Sequence, residues 1–433
     1  MKVLLLGLGR ANQSVAKYVI ERGDEVYLYE DNFDTLSKSA QRLLKTNKIK
    51  MYRKSEYDLV ITSPGFPQSK EIVQEIRSKN ISIIDEIEFT YRQLKEPKII
   101  AITGTNGKST TASIISNILS AAGINNFLGG NIAPGRPFSQ ALFESEFEYY
   151  VLETSSFQLV RIEEFHPIIA VFTNISLDHL NWHSNFDEYK QAKLRIFENQ
   201  NQHDFAILNY EDDAVRGFAG GIKAQTVFFG FNAKTGAYLN GNFYFKDEKL
   251  FPVEKYTLLG RHNLMNGLAA VAVAKILGIP NTNLENGLIT FKTLPHRLED
   301  IGIIGGIRYI NNSMCTNENA AIASFRAVQG SKIVIVGGKQ KGDKGDKYLD
   351  ILTKEADACV ILGENASYIV SYFKAHDFKR FAVADDMEDA IRKARAFAHP
   401  GDTILFNPGF ASFDYFANFE ERGEVFKNAA HRG

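Results

Sequence analysis

The chain has 433 residues, 44% of them hydrophobic and 23% charged, which is the composition of ordinary globular domains and, by length, about two to four of them. A net charge of −1 argues against the basic surface that nucleic acid or an anionic membrane would need. The two cysteines, Cys315 and Cys359, are too few for a disulfide framework and form no CxxC pair, so a reducing cytosol fits and a thiolate metal site does not.

An apolar run at 3–6 leads straight into Gly7-Leu8-Gly9. It is too short for a signal peptide and reads as a buried first strand. No stretch approaches the ~18 apolar residues of a membrane span, so a soluble, cytoplasmic protein is expected. A helix near 12–21 and strands at 25–29 and 58–62 follow. Gly7-Leu8-Gly9-Arg10-Ala11-Asn12 resembles a dinucleotide-binding turn, but Asn12 stands where the third glycine would be. A nucleotide or diphosphate site and a plain strand-to-helix turn both remain open here. A nicotinamide-dependent oxidoreductase would rest on this turn and would leave the next motif unexplained.

The polar, proline-containing Lys95-Glu96-Pro97-Lys98 marks a first domain boundary. Beyond it, a buried strand at 99–102 runs into Gly104-Thr105-Asn106-Gly107-Lys108-Ser109-Thr110 and a helix over 109–122. Glycines let backbone N–H groups close on phosphate oxygens, and the helix N-terminus favours an anion. Lys108 supplies a point charge, and Ser109 or Thr110 a hydroxyl for Mg²⁺. The spacing departs from the standard phosphate loop, because Ile102 occupies the place of its first glycine. The plainer alternative is a glycine turn beside a surface lysine.

Strands at 149–152 and 168–172 come next, and ligands of open α/β sheets bind at such strand ends. Glu153 follows the first, placed to hold Mg²⁺ or to serve as an N-cap. Asn174-Ile175-Ser176-Leu177-Asp178-His179 follows the second. His179 fits a metal ligand or a donor to substrate, while Trp182 and His183 fit packing equally well. Lys193 lies on a helix expected over 185–198 and, by composition, reads as part of a solvated basic face.

A second boundary falls at Leu294-Pro295-His296-Arg297. Strands at 307–310, 332–336, 358–362, 380–383 and 403–406, separated by helical segments, read as another doubly wound unit. The expected fold class is α/β with three domains. They are a Rossmann-like N-terminal domain at 1–97, a central P-loop-type ATPase domain with a mostly parallel sheet at 98–294, and a Rossmann-like C-terminal domain at 295–433.

Taken together, these motifs resemble the Mur ligases over nearly the whole chain, and most closely their D-glutamate-adding members. Further matching pieces are Ser63-Pro64-Gly65, Gly129-Gly130-Asn131-Ile132, Glu153-Thr154-Ser155-Ser156-Phe157-Gln158 and Ala192-Lys193-Leu194-Arg195. His262-Asn263-Leu264-Met265-Asn266, Ser412-Phe413-Asp414 and Asn418-Phe419-Glu420-Glu421-Arg422-Gly423 complete the set. The resemblance implies an ATP-dependent amide ligase of peptidoglycan synthesis, joining D-glutamate to UDP-N-acetylmuramoyl-L-alanine through an acyl phosphate. The first domain would bind the UDP moiety, the second ATP and the third the amino acid, in a cytoplasmic monomer that meets neither nucleic acid nor membrane.

The same resemblance implies roles for individual residues. Lys108 would contact the transferring phosphoryl group. Ser109 and Glu153 would hold one Mg²⁺, and His179 and Lys193 would serve a second, with Lys193 carbamylated by CO₂. Asn263, Asn266, Arg297 and Asn312 would join residues 104–110 in binding ATP. Gly9, Arg10, Ser63, Gly65 and Asn131 would contact the sugar nucleotide, and Thr316, Lys341, Ser412 and Phe419 the incoming D-glutamate.

This chain departs from the family pattern in four places. Asn312 and Met314 stand where the family has aspartate and lysine, which removes two charges. Asn407-Pro408-Gly409 replaces Ser-Pro-Ala, and Glu30-Asp31-Asn32 brings acids to the expected uridine site. Two alternatives therefore stand beside the first reading. One is a diverged ligase of this type with another amino acid or UDP-linked carboxylate. The other is a nucleotide-binding protein without activity, against which the retained Lys108, Glu153, His179 and Lys193 argue. Folylpolyglutamate synthase, a more distant relative, is disfavoured by the first domain and the closing segment.

Overall fold

The computed structural model describes residues 1–132, 135–179, 182–340 and 344–432. The chain divides into two compact units, Met1–Thr257 with Met265–Phe291, and Leu258–Leu264 with Lys292–Gly433. Two sheets belong to the first unit and one to the second.

The first sheet runs in the order Ile49–Met51, Glu25–Tyr29, Lys2–Leu6, Leu59–Thr62, Ile83–Asp85, all parallel. Val3, Leu4, Leu5 and Leu6 are fully buried, as an inner strand covered on both faces requires. The strand order reverses between Lys2–Leu6 and Leu59–Thr62. Gly7-Leu8-Gly9 and Ser63-Pro64-Gly65 leave the carboxyl ends of these two strands, at the switch point where such sheets take ligands.

The second sheet has nine strands. It is parallel from Asn126–Gly130 through Tyr149–Glu153, Ile99–Thr103, Pro167–Phe172, Phe205–Asn209 and Gln225–Phe229 to Ala237–Leu239. Asn242–Phe245 and Glu248–Pro252 then extend it antiparallel. The helix expected over 185–198 is Phe186–Leu194 followed by a 3₁₀ turn, Arg195–Phe197. Asn185 caps it, its Oδ1 accepting from the Glu188 N–H at 2.9 Å. In the second unit Glu299–Ile304 is an antiparallel edge beside Ile307–Asn311, and Thr403–Phe406, Lys332–Val336, Ala358–Ile361 and Phe381–Val383 continue in parallel. Among the described residues no helix is long and apolar enough to cross a membrane.

Three acids are buried where the first sheet meets the helix Glu86–Gln93. Glu88 is satisfied, because its carboxylate accepts from the backbone N–H groups of Glu163, Glu164 and Phe165, each at 2.9 Å. Asp85 Oδ2 and Glu86 Oε2 find no hydrogen-bond partner among the described residues. Burial, helped by the adjacent Glu86, pushes Asp85 up to about 8, and burial pushes Glu86 up to about 7. These raised values mean the folded state keeps protons that the unfolded state loses, so stability falls as pH rises from about 4 to about 8. Asp85→Asn should flatten that fall and be more stable than the wild type at pH 8, because the amide stays neutral without holding a proton. Urea unfolding at pH 5 and pH 8 measures it; an unchanged pH dependence would mean that folding does not raise the Asp85 pKa.

Candidate active site

The strand Ile99–Thr103 is buried along its whole length and delivers the glycine loop to the helix Lys108–Ala121. Gly104 has φ +142°, and a Cβ there would lie 2.0 Å from Thr173 Oγ1. Gly107 caps the helix with φ +85°, and its Cβ would lie 2.4 Å from Asn266 Oδ1. Only glycine satisfies both backbone and space at these two positions. Asn174 holds the loop from the neighbouring strand end. Its carbonyl accepts from the Thr105 N–H at 2.9 Å, its Oδ1 from the Asn106 N–H at 2.9 Å, and its Nδ2 donates to the Asn106 carbonyl at 2.9 Å. Thr173 Oγ1 donates to that same carbonyl at 2.7 Å. Lys108 Nζ donates to the Thr105 carbonyl at 2.9 Å, so the lysine folds back over the loop. Asn266 belongs to this unit too, and its Oδ1 accepts from Thr111 Oγ1 at 3.2 Å.

Ser109 Oγ donates to Glu153 Oε2 at 2.5 Å, and both residues are buried. A hydroxyl and a carboxylate meeting beside a helix N-terminus are the hard oxygen donors that Mg²⁺ takes. Among the described residues no three His, Cys, Asp or Glu side chains gather into a metal-binding group.

Lys193 departs from the solvated face that composition implied. It is 2% exposed, its Nζ donates to the Gly104 carbonyl at 2.8 Å, and it lies 4.8 Å from the centre of the Tyr189 ring. Burial pushes its ammonium well below the usual lysine value, and Lys108 adds to the effect, while Glu153 and Asp178 oppose it. Tyr189 is buried as well, with its hydroxyl 3.0 Å from Thr105 Oγ1, so its helix is keyed to the glycine loop. His179 sits at φ +53° with its ring edge against Phe157 at 4.8 Å. Burial lowers its pKa, against the pull of Asp178, and favours the neutral imidazole that ligates metals or donates one hydrogen bond. His183 is a packing residue: it is buried, stacks on Phe157 at 5.8 Å, and has Nε2 2.9 Å from Ser156 Oγ.

The loop that carries Asn131 is fastened to the same centre. The Asn131 N–H donates to the Glu153 carbonyl at 2.9 Å, and Gly130, at φ +89°, brings its backbone where a Cβ would be 2.3 Å from that carbonyl oxygen. Arg10 reaches this loop from the first sheet, donating to the Gly135 carbonyl at 2.7 Å and the Ile132 carbonyl at 3.1 Å. At the switch point the Gly9 N–H donates to Ser63 Oγ at 3.3 Å, and Gly65 is exposed. Asn12, in place of a third glycine, is a buried peg whose Nδ2 donates to the Gly7 carbonyl at 2.8 Å. Of the acids at 30–32, Glu30 is also engaged, accepting from the Leu8 N–H at 3.1 Å.

In the second unit Arg297 Nη2 approaches Met314 Sδ at 3.1 Å. Asn312 is buried, its Oδ1 accepting from the Leu298 N–H at 3.0 Å and its Nδ2 donating to Asn407 Oδ1 at 2.8 Å. Asn263 Nδ2 donates to the Leu259 carbonyl at 2.7 Å. Thr316 is exposed, Ser412 buried and Phe419 half-buried. Arg422 ties the segments carrying these three. Its Nε donates to Ser313 Oγ at 3.1 Å, Nη2 to the Ser313 carbonyl at 2.8 Å, and Nη1 to the Phe410 carbonyl at 3.1 Å. Ser313 Oγ in turn donates to the Phe419 carbonyl at 2.8 Å. Lys341 lies outside the described residues. The clamping roles of Asn174, Tyr189 and Arg422 were not read from the sequence; an asparagine just past a buried strand is the only local signal of the three.

Two family models match the chain, the Mur ligase middle domain over residues 102–274 and the Mur ligase glutamate ligase domain over residues 296–410. A UDP-N-acetylmuramoylalanine--D-glutamate ligase from Alkaliphilus metalliredigens is 34% identical over 443 residues, covering 98% of this chain and 97% of the relative. Its namesake from Thermoanaerobacter pseudethanolicus is 35% identical over 447 residues, covering 99% and 97%. Among solved structures, a UDP-N-acetylmuramate-alanine ligase from Thermotoga maritima superposes with a TM-score of 0.65 at 18% identity, covering 100% of this chain and 99% of that one. A MurF ligase from Thermotoga maritima in complex with ADP gives 0.62 at 16% identity, covering 99% and 95%. At these identities the two structures bear on the fold alone.

Proposed function

The chain belongs to the Mur ligase family, and we propose that it uses ATP to join D-glutamate to UDP-N-acetylmuramoyl-L-alanine in peptidoglycan synthesis. The observation that carries this reading is the meeting of Ser109, Glu153 and the buried Lys193 around one glycine loop. A carboxylate resists an amine because oxide is its leaving group. Transfer of the γ-phosphoryl group of ATP onto the carboxylate oxygen makes an acyl phosphate and releases ADP. The amine of D-glutamate then attacks the carbonyl carbon, loses a proton, and phosphate leaves. Nearly all of the rate enhancement comes from positioning and from neutralising charge.

In this scheme Lys108 accompanies the transferring phosphoryl group, and residues 104–110 with Asn263, Asn266, Arg297 and Asn312 hold the nucleotide. Mg²⁺ held by Ser109 and Glu153 would neutralise phosphate charge. Lys193 would carry a carbamate: burial disfavours its ammonium and so favours the amine, which can add to CO₂ and release a proton. The product is an anion able, with His179, to serve a second metal. Asn131, Gly9, Arg10, Ser63 and Gly65 receive the sugar nucleotide, and Thr316, Lys341, Ser412 and Phe419 receive D-glutamate. The protein works as a cytoplasmic monomer.

The test is phosphate release with Mg²⁺, ATP, UDP-N-acetylmuramoyl-L-alanine and a panel of amino acids. D-Glutamate should give the fastest release, and omitting any one substrate should abolish it. Equal or faster turnover with another amino acid would replace the D-glutamate assignment with a diverged acceptor, the reading that the lost charges at Asn312 and Met314 favour. No turnover with any amino acid would point to a protein without ligase activity.

A further inference from the structure

A chain of buried amides runs through the second unit away from the candidate nucleotide contacts. Asn407 Nδ2 donates to the Ala321 carbonyl at 2.9 Å and to Tyr348 Oη at 2.8 Å. Tyr348 Oη donates to the Asn407 carbonyl at 2.8 Å. Asn312 is 3% exposed, Asn407 and Tyr348 not at all. We propose that Asn407 is a positioning residue for the nucleotide site, setting Asn312 and, through it, the backbone that presents Arg297. The proposal rests on the reading of Arg297 as a nucleotide contact.

Hydrogen-bond polarity makes the case. The Ala321 carbonyl is only an acceptor, so it fixes which end of the Asn407 amide faces it: the nitrogen. Oδ1 of Asn407 must then face Asn312 and demands a donor there, which Asn312 Nδ2 provides at 2.8 Å. That choice fixes the other end of Asn312, whose Oδ1 accepts from the Leu298 N–H at 3.0 Å. Leu298 follows Arg297 directly. On the other side of Arg297 the His296 carbonyl accepts from the Met314 N–H at 3.0 Å. His296 and Leu298 have φ of +65° and +46°, a left-handed geometry that side-chain-bearing residues hold only when their surroundings enforce it. Each buried link has a partner, and one reversed amide would break the series.

Asparagine is therefore required at 312 as long as asparagine stands at 407. An ionised aspartate at 312 would set two acceptors against each other. A serine at 407 could donate its hydroxyl to such an aspartate, so the two positions form a matched pair.

The experiment measures ADP affinity and steady-state kinetics on the full chain for Arg297→Ala, Asn312→Asp, Asn312→Asp with Asn407→Ser, and Tyr348→Phe. Asn312→Asp should weaken ADP binding about tenfold, as expected for one broken hydrogen bond and its unpaired acceptor. It should raise KM for ATP while leaving KM for the amino acid unchanged, a split that general destabilisation would not give. Adding Asn407→Ser should recover part of the loss, since its hydroxyl can donate to the aspartate but the Ala321 carbonyl loses its donor; Tyr348→Phe, a milder change, should weaken ADP about threefold. If Arg297→Ala weakens ADP but Asn312→Asp and Tyr348→Phe do not, the positioning role is overturned while Arg297 stands. If Arg297→Ala leaves ADP affinity intact, the reading of Arg297 falls, and the proposal with it. Should Asn312→Asp fail to fold, Tyr348→Phe decides alone: unchanged ADP affinity and KM for ATP would overturn the proposal.

Discussion

Lys193→Ala should lower substrate-dependent phosphate release by at least about a hundredfold, and added bicarbonate should not restore it. Wild-type protein stripped of CO₂ should lose activity as well, but should regain it when bicarbonate is returned. The difference follows from where the amine sits. Lys193 is 2% exposed with its Nζ on the Gly104 carbonyl, so water solvates the ammonium poorly and burial depresses its pKa. The same burial favours the neutral amine, the form that adds to CO₂, and carbamylation would leave an anion beside the glycine loop. Full activity in the alanine variant would remove the carbamate from the mechanism.

The second large effect is expected from Gly104→Ala, which should weaken ADP binding by at least about a hundredfold while the protein still unfolds cooperatively. Two costs act together. At φ +142° an alanine is strained by about 1–3 kcal/mol. Its Cβ would also lie 2.0 Å from Thr173 Oγ1 and 3.1 Å from the Asn174 backbone nitrogen, and overpacking of this kind costs about 1–3 kcal/mol more. The cheapest escape is for the loop to leave Asn174, which would disperse the backbone N–H groups proposed to hold the phosphates. Calorimetric titration with ADP, alongside a thermal melt, separates loss of binding from loss of fold. Normal ADP affinity would show that the loop does not hold the nucleotide.

Much of the first unit was legible because its signals are local. The strand Ile99–Thr103 is an unbroken apolar run, and the glycines after it announce a loop that needs φ > 0. The strand Asn126–Gly130 was missed because it ends in two glycines, which read as a turn. The antiparallel pair after Ala237–Leu239 was missed because its strands are short, four and five residues, with only Phe243 and Phe251 buried to mark an apolar face. Lys193 shows the limit most clearly. Its helix also carries Lys190, exposed enough to pair with Asp187, and nothing local separates one lysine from the other. What buries Lys193 is a carbonyl 89 positions earlier. Asn312 and Asn407 looked like two unrelated departures from a pattern, because a hydrogen bond across 95 positions has no signature in either neighbourhood.

The grip of Asn174 on the phosphate loop, through one carbonyl and both ends of its amide, has a kinetic corollary. A mould that is set before the ligand arrives asks for little loss of chain entropy on binding. If this loop receives a nucleotide, the rate of capture would be governed by diffusion and charge, and differences in affinity among nucleotides would appear in how long each one stays.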